Sequence, residues 1–180
     1  AAVLGIVLGR LDTDAHTAAE VDTLVQGKLG SLSFAPDAYE PEGPQATCAT
    51  FTVSASCLAE NAAFAAQMAD EVLTRTRFAD LARIRDMLVQ RKVALDQSFV
   101  MSGHSAAANR ALSYVSRTAK AKEQLSGMDF YWYLRQLLDA FDERGPRLAA
   151  DLEELARRIF QEGRCALSLA GPKEAVTAYR

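Results

Sequence analysis

The spacing of apolar residues changes at Asn61, and this change constrains the fold more than any other feature of the sequence. Before Asn61, apolar residues alternate with Ser and Thr in two short stretches, 31–34 and 49–55. A period of two predicts β-strands with one buried face. After Asn61, apolar residues recur every three or four positions, which predicts helices. The Pro-rich segment 36–44 predicts a loose loop between the strands, so we expect an antiparallel pair.

Helices are predicted on both sides of this strand pair. An apolar helix occupies 1–9, and a short one around Val21 is expected to stop at Gly27 and Gly30. About five helices follow Asn61; the longest begins near Phe78 and is broken by Ser102-Gly103-His104. Small side chains after this break predict close packing against another element; they are Ala106, Ala107, Ala108 and Ala111.

The later helices have their own start signals. Ser126-Gly127-Met128-Asp129 has the pattern of a capping box, in which the Ser hydroxyl and the Asp carboxylate would bind the free amides of a helix start. The aromatic cluster that follows, 128–141, favours core packing over a ligand platform. Gly145-Pro146 predicts the start of the last long helix.

The end of the chain predicts a third strand over 164–169, where Cys165, Leu167 and Leu169 alternate with other residues, and a new helix from Pro172. The resulting order of helices and strands lacks a regular βαβ alternation. It therefore predicts an α+β fold, with a mostly antiparallel sheet packed on one face by several helices.

Composition favours one α+β domain over residues 1–180, because 49% of the residues are apolar and no linker-like segment divides the chain. Both ends look interrupted, since the helix at 1–9 has no capping residue and the one at Pro172 has little room to extend. We therefore expect a fragment of a larger protein, whose isolated form exposes apolar surface and self-associates.

Charge and cysteine content indicate no special partner. The 20 basic and 23 acidic residues are interspersed, which predicts binding neither to nucleic acid nor to a membrane. Cys48, Cys57 and Cys165 are too far apart for a metal clip, so buried reduced thiols and a cytoplasmic location are expected.

The sequence contains no complete active site. The zinc motifs H-E-x-x-H and H-x-x-E-H are absent, and the only histidines, His16 and His104, are 88 positions apart. His104 could activate Ser102 or Ser105 as a nucleophile, but Ser-Gly-His between two helices favours a cap and turn. No phosphate-binding glycine loop is present.

Acidic pairs are also unremarkable as catalysts. Asp70-Glu71, Asp142-Glu143 and Glu153-Glu154 lie on predicted polar faces or helix ends. We therefore predict no catalytic residue, no metal ligand and no residue that binds a cofactor in this chain.

A series of short matches identifies a family. The series begins with Leu8–Thr13, includes Ser54, Leu58, Asn61, Glu71, Thr76 and Arg110, and reaches the strand at 164–169. Its most specific part is S-G-H at 102–104 followed by E-x-x-S-G-M at 123–128. Together these residues resemble the pitrilysin/insulinase-like zinc metallopeptidases, in particular their presequence-protease branch, over nearly the whole chain.

The resemblance implies a role within a larger enzyme. In that family four homologous domains form two halves that close around a peptide, and only the first domain binds zinc. This chain resembles the third domain, which encloses the chamber without catalysing the reaction. Zinc would then be held elsewhere in the parent protein, and the partners would be its other domains and the peptide. The substrate-contacting Arg and Tyr of the family lie in the fourth domain, so Tyr179 and Arg180 receive no such role.

Two positions depart from the family pattern. Asp12 stands where the family has Gly, and Leu29 stands where it often has the first of two glycines, so the local turns are expected to differ. An alternative function is a structural domain of an inactive relative that acts only in assembly. A third is an independent hydrolase that uses His104.

Overall fold

The fold, taken from a computed structural model, is α+β, as the order of elements predicts. The structure describes residues 1–41, 47–161, 163, 165–172 and 176. The helices are α1 (Ala2–Val7), α2 (Ala18–Lys28), α3 (Ala62–Arg75), α4 (Leu81–Met101), α5 (Gly103–Leu112), α6 (Arg117–Ser126), α7 (Met128–Asp139) and α8 (Phe141–Ile159). The strands are β1 (Leu29–Tyr39) and β2 (Cys48–Cys57).

The two strands form the predicted antiparallel pair, in which Phe34 lies opposite Val53 and Pro36 lies opposite Phe51. β1 is longer than predicted because it continues through Pro36 to Tyr39. Proline has no N–H, but an edge strand needs partners on one side only. The Pro-rich loop expected between the strands lies mostly at 42–46, outside the described residues.

α1 is buried at the centre of the molecule, where it contacts β1, α4 and α8. Leu4 and Val7 have no exposed surface. A Cβ on Gly5 would lie 2.8 Å from Pro36 Cδ and 3.1 Å from the carbonyl oxygen of Phe34. The missing side chain therefore lets α1 lie directly on β1.

The stripes of α3 and α4 follow their predicted periodicity. Met68 and Val72 of α3 are buried, as are Ile84, Leu88 and Leu95 of α4. In the aromatic segment, the buried members include Phe130, Leu134 and Leu137, whereas Trp132 is half exposed. Most of that segment therefore packs in the core, as predicted.

Two helix boundaries differ from the prediction. α2 continues through Gly27 and gives way directly to β1 at Leu29, so neither Gly27 nor Gly30 is a helix stop. α8 begins at Phe141 and contains Pro146. Proline removes one helix hydrogen bond, but the carbonyl affected is that of Asp142, in the exposed first turn, where water can replace the bond.

The third strand is not formed. Residues 165–170 have no regular secondary structure, and Leu167 is 75% exposed. A strand requires a neighbour that supplies hydrogen-bond partners, and in the described part of the chain no strand lies beside this segment. Arg164 and most of the helix predicted after Pro172 lie outside the described residues.

Helix length and hydropathy also bear on membrane insertion. Within the described ranges, every helix is too short or too polar to cross a bilayer.

Candidate functional site

The two halves of the most specific motif meet around one groove. Ser102 separates α4 from α5, and E-x-x-S-G-M spans the end of α6 and the start of α7. Ser102, Glu123, Gly127 and Met128 line the same groove, whose volume is about 510 Å³. We therefore treat this corner, formed by α5, α6 and α7, as the candidate functional site.

Glu123, rather than the predicted capping box, caps α7. Its side chain is 3% exposed, and its Oε1 accepts a hydrogen bond of 2.9 Å from the backbone N–H of Met128. The Ser126 hydroxyl instead donates to the carbonyl of Lys122 at 3.3 Å. The helix start is thus predicted correctly but its capping residue is wrong, because the carboxylate comes from the preceding helix.

A network of ion pairs ties the three helices of the corner together. Arg110 Nη1 of α5 lies 3.2 Å from Glu123 Oε1 of α6 and also donates to Asp129 Oδ1 of α7. Lys120 Nζ of α6 donates to Asp129 Oδ2. Hydrogen bonds from Lys120 and then from Arg110 lower the pKa of Asp129, and the bond to Asp129 raises the pKa of Arg110.

This network predicts how acid affects stability. Because the pKa of Asp129 is lower in the folded chain than the usual value of about 3.9, its stabilising contribution is full above that value and is lost as the pH falls through the folded pKa. Asp129→Asn should therefore destabilise the chain more at pH 7 than at pH 3. Urea unfolding at several pH values measures this difference.

Asp151→Asn provides the control for that experiment, because Asp151 is 65% exposed and lies 4.0 Å from Arg147. Its effect should be small at both pH values. A cost of Asp129→Asn that stays constant between pH 7 and pH 3 would contradict the prediction.

α5 does not make the close contacts predicted from its small residues. No residue of α5 is buried, and Ala107, Ala108 and Ala111 are exposed. Ala106, which is partly buried, lines the groove. The prediction of close packing within the described chain is therefore wrong, since small side chains permit an approach but do not supply the element that approaches.

His104 lies exposed at the second position of α5. Within the described residues, its side chain forms no hydrogen bond with Ser102 or Ser105; the contact between these serines is a backbone bond from Ser105 N to Ser102 O at 3.0 Å. The structure therefore supports the cap-and-turn interpretation of Ser-Gly-His.

His16 belongs to a different cluster. Its Nδ1 lies 2.8 Å from Glu71 Oε1, which also accepts a 2.5 Å hydrogen bond from Thr13 Oγ1. Burial raises the pKa of Glu71, but the hydrogen bonds from Thr13 and His16 outweigh it, so the pKa is lowered. The cluster fastens the loop before α2 to α3, and Glu71 is not the ordinary surface carboxylate that its acidic neighbour suggests.

The departure from the family pattern at Asp12 has a structural role. Asp12 Oδ1 accepts a 2.8 Å hydrogen bond from the backbone N–H of Ala18, the first residue of α2. Thr17 and Glu20 form a capping box at the same helix start. The aspartate thus satisfies an additional free amide that glycine could not reach.

The remaining candidate ligands do not converge. Cys48 and Cys57 are half-buried, whereas Cys165 is exposed, contrary to the prediction that all three are buried. Among the residues that the structure describes, no group of three or more His, Cys, Asp or Glu side chains is placed to hold a metal ion.

A family model described as associated with peptidase family M16, subfamily C, matches residues 2–137, from α1 into α7. The chain belongs to this peptidase-associated family. The match includes the whole candidate corner, with both halves of the motif. It confirms the resemblance to the pitrilysin/insulinase-like group that these residues predict.

Three curated proteins are similar to this chain. Presequence protease 1, chloroplastic/mitochondrial, of Arabidopsis thaliana is 22% identical over 89% of the chain. Presequence protease, mitochondrial, of Danio rerio is 26% identical over 83% of it. Protein HypA of Clostridium perfringens is 21% identical over 93% of it. The chain spans only 15–17% of the length of these relatives.

Proposed function

We propose that this chain is a non-catalytic domain of a zinc-dependent metallopeptidase that degrades peptides, and that it forms part of the wall of the chamber that encloses the substrate. The match over residues 2–137 carries this proposal. Two relatives are named presequence proteases, and in each the matched region is 15% of the length. A region of that size corresponds to one domain of a larger polypeptide.

The chemistry of peptide hydrolysis also supports a division of labour between domains. A zinc peptidase needs a metal with an open position, and a general base that acts on the bound water. The sequence contains neither H-x-x-E-H nor H-E-x-x-H. In this proposal another part of the polypeptide provides the zinc site, whereas the present domain encloses the peptide.

Activity measurements test the proposal directly. The longer polypeptide that contains this chain should bind zinc and cleave unstructured peptides, and a chelator should abolish cleavage. The isolated chain should cleave nothing under either condition. Peptide cleavage followed by mass spectrometry, together with zinc analysis of both proteins, measures each outcome.

Two outcomes would contradict this proposal. A longer polypeptide with neither zinc nor peptidase activity would instead support the assembly domain of an inactive relative. Activity of the isolated chain that survives chelation and disappears in His104→Ala would support an independent hydrolase. The exposed position of His104 makes the variant suitable, since it should leave folding unchanged.

A further inference from the structure

The most exposed large apolar side chains cluster at the two ends of α5. Val100 and Met101, just before α5, are 87% and 82% exposed, and Tyr114 and Val115, just after it, are 76% and 84% exposed. These four values are the highest for any large hydrophobic residue in the described parts of the chain. A monomeric protein rarely exposes so many such residues in one place unless they bind something.

α5 itself connects these two ends with a low surface. Ten residues of helix span about 15 Å, and Ala107, Ala108 and Ala111 project only methyl groups along the exposed side. Another helix or strand could therefore approach the backbone of α5 closely while the larger side chains at either end contact it. The close packing that the small residues predict is possible here only with a partner.

The charges around α5 indicate what kind of partner fits. Between Gln97 and Met128 the only acidic residue is Glu123, which is buried. Arg110 and Lys120 pair with Asp129, and Lys122 lies 3.6 Å from Asp37. For Arg117, which is exposed, the described residues provide no carboxylate partner. A carboxylate on the partner would thus meet an unpaired cation and no exposed acidic residue in this segment.

We infer that the α5 surface, defined by Val100, Met101, Leu112, Tyr114, Val115 and Arg117, docks an apolar surface that presents a carboxylate to Arg117 and belongs to another part of the same polypeptide. This inference rests on the proposed function, in which the chain is one domain among several. Met, Tyr and Arg are typical of the centres of protein interfaces. Binding to an anionic membrane is less well supported, because it usually needs a cluster of four to eight free cations.

Hydrogen–deuterium exchange compares the α5 surface in the longer polypeptide with that in the isolated chain. Backbone amides between 100 and 117 should exchange at least about tenfold more slowly in the longer polypeptide, because docking adds to the opening free energy about 1.4 kcal/mol for each factor of ten. Equal rates in the two proteins would overturn the inference.

Two substitutions in the longer polypeptide test the chemistry of the contact. Val115→Asp should return the exchange rates toward those of the isolated chain, because it places a charge in an apolar contact. Leu58→Asp is the matched control, since Leu58 is 68% exposed and lies outside the α5 surface. Arg117→Glu should accelerate exchange, whereas Arg117→Lys should preserve most of the protection.

The remaining outcomes distinguish other occupants. Protection of the isolated chain that rises with its concentration, with a dimer in light scattering, would assign the surface to a second copy and overturn the inference. Protection of the isolated chain by anionic vesicles alone would do the same. Protection in a longer polypeptide that lacks zinc and activity would support the docking contact but contradict the proposed function. Activity without protection would have the reverse meaning.

Discussion

Replacing Gly127 with Ala is expected to lower the free energy of unfolding by about 3 kcal/mol, near the upper end for a substitution that overpacks a buried site. The new Cβ would lie 2.2 Å from Glu123 Oε2 and 3.0 Å from Glu123 Cα. Since φ is −93° at Gly127, the backbone conformation itself would accept alanine. The cost is therefore steric, and urea unfolding of the chain measures it.

Gly103→Ala is the matched control, because Gly103 also stands at a helix start but no atom lies within 4 Å of its added Cβ. This variant should differ from the parent by no more than about 0.5 kcal/mol. Equal stability of Gly127→Ala and Gly103→Ala would show that Glu123 does not occupy the space above Gly127.

Replacing Glu123 with Ala is expected to cost about 3 kcal/mol, the scale measured when one partner of a buried ion pair is removed. The side chain is 3% exposed and serves two groups, the Arg110 guanidinium and the backbone N–H of Met128. Its loss leaves the amide at the start of α7 without an acceptor and Arg110 with Asp129 alone. Thermal and urea unfolding measure the loss.

Glu154→Ala is the control for this loss, because Glu154 also pairs with an arginine, Arg158, but is 47% exposed. It should cost no more than about 0.5 kcal/mol. In the double variant, Gly127→Ala should cost less than it does alone, since most of the clashing side chain has been removed. Additive costs would contradict the proposed contact between residues 123 and 127.

Local periodicity predicts the helices well because burial of one face decides their position. Met68 and Val72 in α3, and Ile84 and Leu88 in α4, lie where their spacing places them. The antiparallel strand pair is predicted for the same reason. The length of β1 is not, because a pattern does not reveal that Pro36 lies on the side of the strand that needs no partner.

The candidate site is predicted only in part, because its geometry depends on contacts between distant residues. The motif at 123–128 marks the correct position, but Ser126 and Asp129 have other partners than a local capping box implies. The spacing of Arg110, Glu123 and Asp129 in the sequence gives no indication that one guanidinium joins them. The third strand at 165–169 fails in the same way, since alternation does not supply a neighbouring strand.

The central position of α1 has a consequence for synthesis on the ribosome. α1 is made first, yet it contacts α8, whose residues follow more than a hundred positions later. At about 5–20 residues per second, its apolar face stays uncovered for roughly 7–30 s. During this interval the nascent chain is a natural substrate for chaperones, and burial of Leu4 and Val7 becomes possible only when nearly the whole domain has emerged.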